Sequence, residues 1–144
     1  ALTLLGAMFQ AAGVLAYAWG RTDEGALPQM PPLEGRLSAS GEHAAWSWGA
    51  LLRIAAAQDR VSTRQGNVVG RDLGPSPGFA VFSINGSYRF SDRLQLTAGI
   101  DNLFDRAYSE HLNLAGNSAF GYPADPERIA EPGRTGWLKL NLSY

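Results

Sequence analysis

The chain has 144 residues, with 12 basic and 13 acidic side chains and a net charge of −1, so it lacks the basic footprint of a nucleic-acid binder. It has no cysteine, which excludes a disulfide framework and thiolate metal sites. Only 17% of residues are charged, against about 25% in a typical soluble domain, and with four tryptophans, five tyrosines and 17 glycines this points to a non-aqueous neighbour.

The first 20 residues, ALTLLGAMFQAAGVLAYAWG, carry no charge. They have no positively charged start and no cleavage site, so they do not read as a secretory signal. Their length suits a transmembrane helix. Thr3, Gly6, Gln10 and Gly13 weaken that reading, and a strand pair or one long strand fits the rest of the chain better. The first strand segment, near Gly13–Arg21, alternates less cleanly than those that follow, with Leu15, Tyr17 and Trp19 opposing Val14, Ala16 and Ala18. A long connection follows over Thr22–Pro32.

In LEGRLSASGE, Leu33, Gly35, Leu37 and Ala39 alternate with Glu34, Arg36, Ser38 and Ser40. A short turn near Glu42–Ala44 leads to AWSWGALLRIAA. There Trp46, Trp48, Ala50, Leu52, Ile54 and Ala56 oppose Ser47, Gly49, Leu51, Arg53 and Ala55. A second long connection covers Asp59–Pro77. FAVFSINGSYRF then places Ala80, Phe82, Ile84, Gly86, Tyr88 and Phe90 on one face and Phe79, Val81, Ser83, Asn85, Ser87 and Arg89 on the other. After a tight turn at Ser91–Asp92, RLQLTAGIDNLF sets Leu94, Leu96, Ala98, Ile100 and Phe104 against Arg93, Gln95, Thr97, Gly99 and Asp101. The third long connection is Asp105–Pro132. The closing TGWLKLNLSY alternates Gly136, Leu138, Leu140, Leu142 and Tyr144 with Thr135, Trp137, Lys139, Asn141 and Ser143.

These segments predict an all-β protein of about six antiparallel strands, each close to the 9–11 residues of a tilted membrane-spanning strand. Short turns alternate with long loops, as in outer-membrane barrels. A half-buried soluble sheet also alternates, but two features favour a membrane. One row is bulky and apolar while the opposite row is small or polar, as a wet lumen requires. Aromatics also gather near strand ends, as girdles do at a bilayer interface.

DNLFDRAY, with Asn102, Leu103, Phe104, Asp105 and Tyr108, resembles the C-terminal barrel signature of TonB-dependent outer-membrane receptors. EPGRTGWLKLNLSY, with Pro132, Gly133 and Arg134 leading into a last strand, looks like their closing segment. LPQMPPLEGRL, AAQDRV, GNVVGRDLG, GFAVFSINGSYRF, EHLNLAGN and GYP are similar to the copper-receptor subfamily, sometimes called copper porins. The resemblance implies a 22-stranded barrel with a plug domain and a TonB-engaging box, neither of which is in these residues. On it, residues 1–144 are the C-terminal portion of a receptor barrel that takes up a scarce ligand, with copper as the candidate. Its implied partners are outer-membrane lipid, the receptor's own plug, the TonB complex and the barrel-assembly machinery, for which Tyr144 is the terminal aromatic signal. It also implies a periplasmic C-terminus and extracellular long loops. A small structural or adhesin-like outer-membrane barrel without transport is the alternative.

No catalytic or cofactor-binding constellation stands out, and the chain does not read as an enzyme. GNVVGRDLG is glycine-rich but lacks the P-loop Lys-Ser/Thr. His111, Glu110 and Met30 are residue types that can contact copper, yet they do not make up a coordination sphere. Arg36, Arg53, Arg89, Arg93, Glu34 and Asp101 share the lumen-side parity, where some are expected to contact a plug.

Overall fold

The computed structural model describes residues 2–4, 7–63, 66–67, 70–115, 119, 121 and 127–143. In chain order the strands are β1 (Leu2–Leu4), β2 (Ala7–Ala16), β3 (Arg21–Thr22), β4 (Gly25–Ala26), β5 (Glu34–His43), β6 (Trp46–Ala55), β7 (Gly66–Asn67), β8 (Gly70–Arg71), β9 (Phe79–Ser91), β10 (Leu94–Asp101) and β11 (Thr135–Leu142). Seven of them form one antiparallel sheet in the order β1-β2-β5-β6-β9-β10-β11. The pairs β3–β4 and β7–β8 are small hairpins within the first two long connections. Among the described residues no helix is long and apolar enough to cross a membrane, which does not bear on crossing by strands.

The register carries the apolar parity without a break from strand to strand. Leu96 pairs with Leu140 and with Tyr88, Tyr88 with Trp46, Leu52 with Leu37 and with Phe82, and Leu37 with Gly13. Partners in an antiparallel ladder share a face, so these residues form one continuous surface. A one-residue slip anywhere would mix the two faces. A register shift falls between Leu94 and Gln95, where Phe90 is the extra residue on β9.

Two differences from the expected elements have local causes. The first main strand is Ala7–Ala16 rather than Gly13–Arg21. On its polar-parity side it carries Met8, Ala12, Val14 and Ala16 beside Gln10, so its sequence barely alternates, and pairing with β5 sets its limits. Tyr17 and Trp19 keep the alternation but have left the ladder. The second difference is at the tight turn, which is Asp92–Arg93, so Arg93 lies in the turn and not on the lumen-side row. The other tight turn is Ala44–Ala45, with Ala44 in the left-handed region at φ 52°.

The apolar row is exposed. Leu138 is 70% accessible, Leu142 65% and Leu15 75%. The buried apolar residues, Ala55, Phe79 and Val81, lie on the opposite parity, at the end of the sheet that bears the long loops, with Tyr108 packed on them. A water-soluble sheet would bury its bulky row. Here that row needs an apolar solvent.

Candidate functional site

At the loop end of the polar face, an ion-pair chain crosses from β5 to the third long loop. Glu34 Oε1 accepts from Arg36 Nε at 2.7 Å and from Arg53 Nε at 3.2 Å. Arg53 Nη2 donates to Glu110 Oε1 at 2.9 Å. The Arg53 guanidinium also sits 5.7 Å from the centre of the Phe79 ring, and that ring is 4.4 Å from the ring of Tyr108. Arg53 thus joins the barrel wall to the loop by charge on one side and by an aromatic contact on the other. Beside it is an open hollow of about 370 Å³, bordered by Arg53, Asp101, Ser83, Tyr108 and Thr135. Burial, with the Glu131 carboxylate nearby, pushes the Tyr108 phenol above its ordinary value of 10.0.

Above this rim the three long loops hold one another. Asp72, 5% accessible, accepts from the backbone N–H groups of Gln29, Ser62 and Gly74. Gln58 donates its side-chain amide to the carbonyls of Met30 and Pro31, and its backbone pairs with Ser76. Arg128 donates to the carbonyls of His111, Pro75 and Gly74. One carboxylate, one amide and one guanidinium therefore satisfy backbone groups that a loop would otherwise expose to water. His111 is buried in the middle of this package. Its Nδ1 pairs with Ser76 Oγ at 2.9 Å, and its Nε2 has no hydrogen-bond partner among the described residues. Burial first, and the Arg128 guanidinium second, hold this imidazole below its ordinary 6.5, while Asp72 opposes the shift.

The two sequence motifs form one clasp. Asn102 adopts φ 50° and is 4% accessible. Its Oδ1 accepts from Arg106 N at 2.8 Å, and its Nδ2 donates to Arg106 O at 2.9 Å and to Pro132 O at 3.4 Å. Asp105, at φ 54°, accepts from the backbone N–H of Arg134. A Cβ on Gly133 would stand 2.7 Å from Asp105 Oδ1, so a larger residue there would push on the carboxylate that holds Arg134. Leu103 N donates to Phe82 O, and Phe104 stacks on Phe82 on the exposed apolar side with ring centres 6.1 Å apart.

The metal-contact candidates each have another partner in this geometry. Glu110 is engaged by Arg53, His111 points a ring nitrogen at Ser76, and the backbone carbonyl of Met30 accepts from Gln58. Among the described residues there is no group of three or more His, Cys, Asp or Glu that could hold a metal ion. Tyr144, the expected assembly signal, lies outside the described residues. Sequence reading did not single out Gln58, Asp72 or Arg128. All three act on backbone groups of distant loops, and no local pattern signals that.

A family model for a TonB dependent receptor-like β-barrel matches residues 2–103. The chain is 39% identical over 69 residues to the ferric enterobactin receptor of Pseudomonas aeruginosa, which covers 46% of this chain and 9% of that protein. Among solved structures, the Copper transporter OprC superimposes with a TM-score of 0.89 at 49% identity, over 99% of this chain and 22% of that one. The ferric enterobactin receptor PfeA of Pseudomonas aeruginosa, in complex with enterobactin, gives a TM-score of 0.68 at 22% identity, over 94% of this chain and 20% of that one, a likeness of fold. The chain thus spans less than a quarter of the length of each of these relatives. TonB-dependent receptors are outer-membrane transport proteins that work with TonB and have a plug domain, and outer-membrane barrels turn an apolar row to lipid. By the family match and by its architecture, the chain belongs to the TonB-dependent receptor β-barrel family.

Proposed function

We propose that residues 1–144 are the C-terminal portion of the barrel of an energised outer-membrane receptor, and that its cargo is copper. The observation that carries the cargo is the 49% identity to the Copper transporter OprC over 99% of this chain. In this reading the fragment supplies wall and loops. Capture takes place under the loop package, and the receptor's own plug moves in response to TonB. The polar row, with Glu34, Arg36 and Arg53 at its loop end, faces the plug. The protein is a transporter and not an enzyme. The alternative of a small barrel without transport finds less support, because the matched relatives are much longer receptors.

The orientation follows from the same reading. The end of β11 and the turns Ala44–Ala45 and Asp92–Arg93 are periplasmic, and the long loops are extracellular. Tyr144 serves the barrel-assembly machinery. The clasp of Asn102, Leu103, Phe104, Asp105 and Tyr108 with Pro132, Gly133 and Arg134 closes the third loop onto the wall.

The test is copper accumulation by cells that carry the full-length receptor as their route of uptake. Accumulation is expected to need both the receptor and TonB. Equal accumulation without TonB would remove energised uptake, and uptake of other ligands with none of copper would remove the cargo.

A further inference from the structure

On the apolar face, at the end bearing the tight turns, Trp46, Tyr88, Phe90 and Leu96 wall a groove of about 510 Å³ whose floor is Gly86 and Ala98. That volume lies within the roughly 300–1,000 Å³ of small-molecule pockets. Trp46 and Tyr88 stand 4.6 Å apart by ring centres, and Tyr88 and Phe90 meet edge to face at 4.8 Å. The groove exists because two small residues, Gly86 and Ala98, pair directly across the ladder between large neighbours. Phe90, beside the bulge, completes the wall. Ser87 borders the groove, but its hydroxyl is held on the polar face by Ser47 and Gln95.

This surface is continuous with the lipid-facing row, so the groove opens into hydrocarbon. An apolar hollow does not hold water, and it loses dispersion contacts wherever no atom fills it. A methylene chain satisfies both conditions. Arg93 is exposed in the turn of the same hairpin, and a guanidinium pairs well with a phosphate. We propose that this groove holds one acyl chain of a phospholipid of the turn-side leaflet, bound tightly enough to stay with the assembled receptor. The proposal rests on the outer-membrane orientation given above, in which that leaflet is the periplasmic one.

The test is native mass spectrometry of the full receptor, purified from outer membranes in mild detergent. Wild-type receptor is expected to retain phospholipid, as is Ala80→Leu, which adds the same side chain to the apolar row away from the groove. Gly86→Leu and Ala98→Leu fill the floor and are expected to lose it. A Cβ at Gly86 meets only Ser47 O at 3.6 Å, an ordinary contact, so the added side chain has room. Should either filling variant fail to assemble, Trp46→Leu, which removes a wall, replaces it with the same expected loss. Wild-type receptor without phospholipid, or filling variants that retain as much as wild type, would overturn the proposal. So would lipopolysaccharide in its place, or a dimer that the filling variants dissociate. A reversed orientation would show separately, as a third-loop epitope that is detected only after lysis.

Discussion

Asp105 Oδ1 accepts a hydrogen bond at 2.8 Å from the backbone N–H of Arg134, 29 residues further along the chain. Asn102 reaches the same segment through the carbonyl of Pro132. The pair draws both ends of the third loop onto the rim of β10 and β11, and it explains why Asn, Asp and Gly occur together in the two motifs. Asn102 is buried, its amide serves backbone groups, and it holds a left-handed backbone that asparagine tolerates better than alanine does. Asn102→Ala is expected to cost about 3 kcal/mol, from buried groups left unsatisfied and from backbone strain. Asn102→Gly relieves the strain alone and is expected to cost less. Denaturant titration of the refolded receptor measures both, and equal losses would remove the backbone contribution.

Arg53 joins Glu34 on the wall to Glu110 on the loop. Its partners are each about a quarter accessible, so the ion pairs are neither surface pairs nor fully buried ones. Arg53→Ala leaves two carboxylates facing each other and removes the contact with Phe79. The expected cost is about 1–3 kcal/mol, between the exposed and buried limits. Limited proteolysis of the assembled receptor is expected to cut within 105–115 faster than in wild type. An unchanged rate would mean that the loop is held by the clasp alone.

His111 makes the loop package sensitive to acid. Its imidazole is held below its ordinary 6.5, so the package favours the neutral ring. A group with a depressed folded value leaves stability intact above the unfolded value and reduces it as pH falls through the folded one. Loop protection from protease is therefore expected to be constant above about pH 6.5 and to fall below it. Asp72 and Arg128 are the charged groups that bear on the ring. His111→Gln is expected to flatten the profile, and a profile of unchanged shape in that variant would assign it elsewhere.

The third long loop is expected on the cell surface. An epitope inserted between Gly116 and Asn117, which lie outside the described residues, should be detected on intact cells. Detection after lysis alone would reverse the topology.

The strands were legible where alternation is strong. β5, β6, β9, β10 and β11 fall close to the expected segments because each sets Leu, Ile, Trp or Phe against Ser, Asn, Arg or Lys. β2 was misplaced because Ala11, Ala12, Gly13 and Val14 present similar small apolar surfaces on both sides, and only the ladder with β5 fixes its ends. The rim was partly legible: Glu34, Arg36 and Arg53 share a parity, but their link to Glu110 spans 57 residues between Arg53 and Glu110. The loop package was not legible. Asp72 and Arg128 act on carbonyls and N–H groups, which every residue carries, so residue type gave no hint of the partner.

The last strand offers the sharpest test of inside and outside. Leu140 pairs with Leu96 on the apolar row, and its side chain is 57% accessible. Asn141 pairs with Gln95 on the polar row. Neighbours on a strand point to opposite faces. Within the full receptor, Leu140→Arg puts a cation into hydrocarbon near the middle of β11 and is expected to cost roughly 2–4 kcal/mol, the range for a lipid-facing cation at the bilayer midplane. Asn141→Arg keeps its charge in a wet lumen and is expected to cost little unless it strikes the plug. The yield of assembled receptor, or its folding free energy, measures both. Equal tolerance at the two positions, or greater damage at Asn141, would mean that the apolar row does not face lipid. The long exposed series of Leu15, Leu138 and Leu142 would then need another cover.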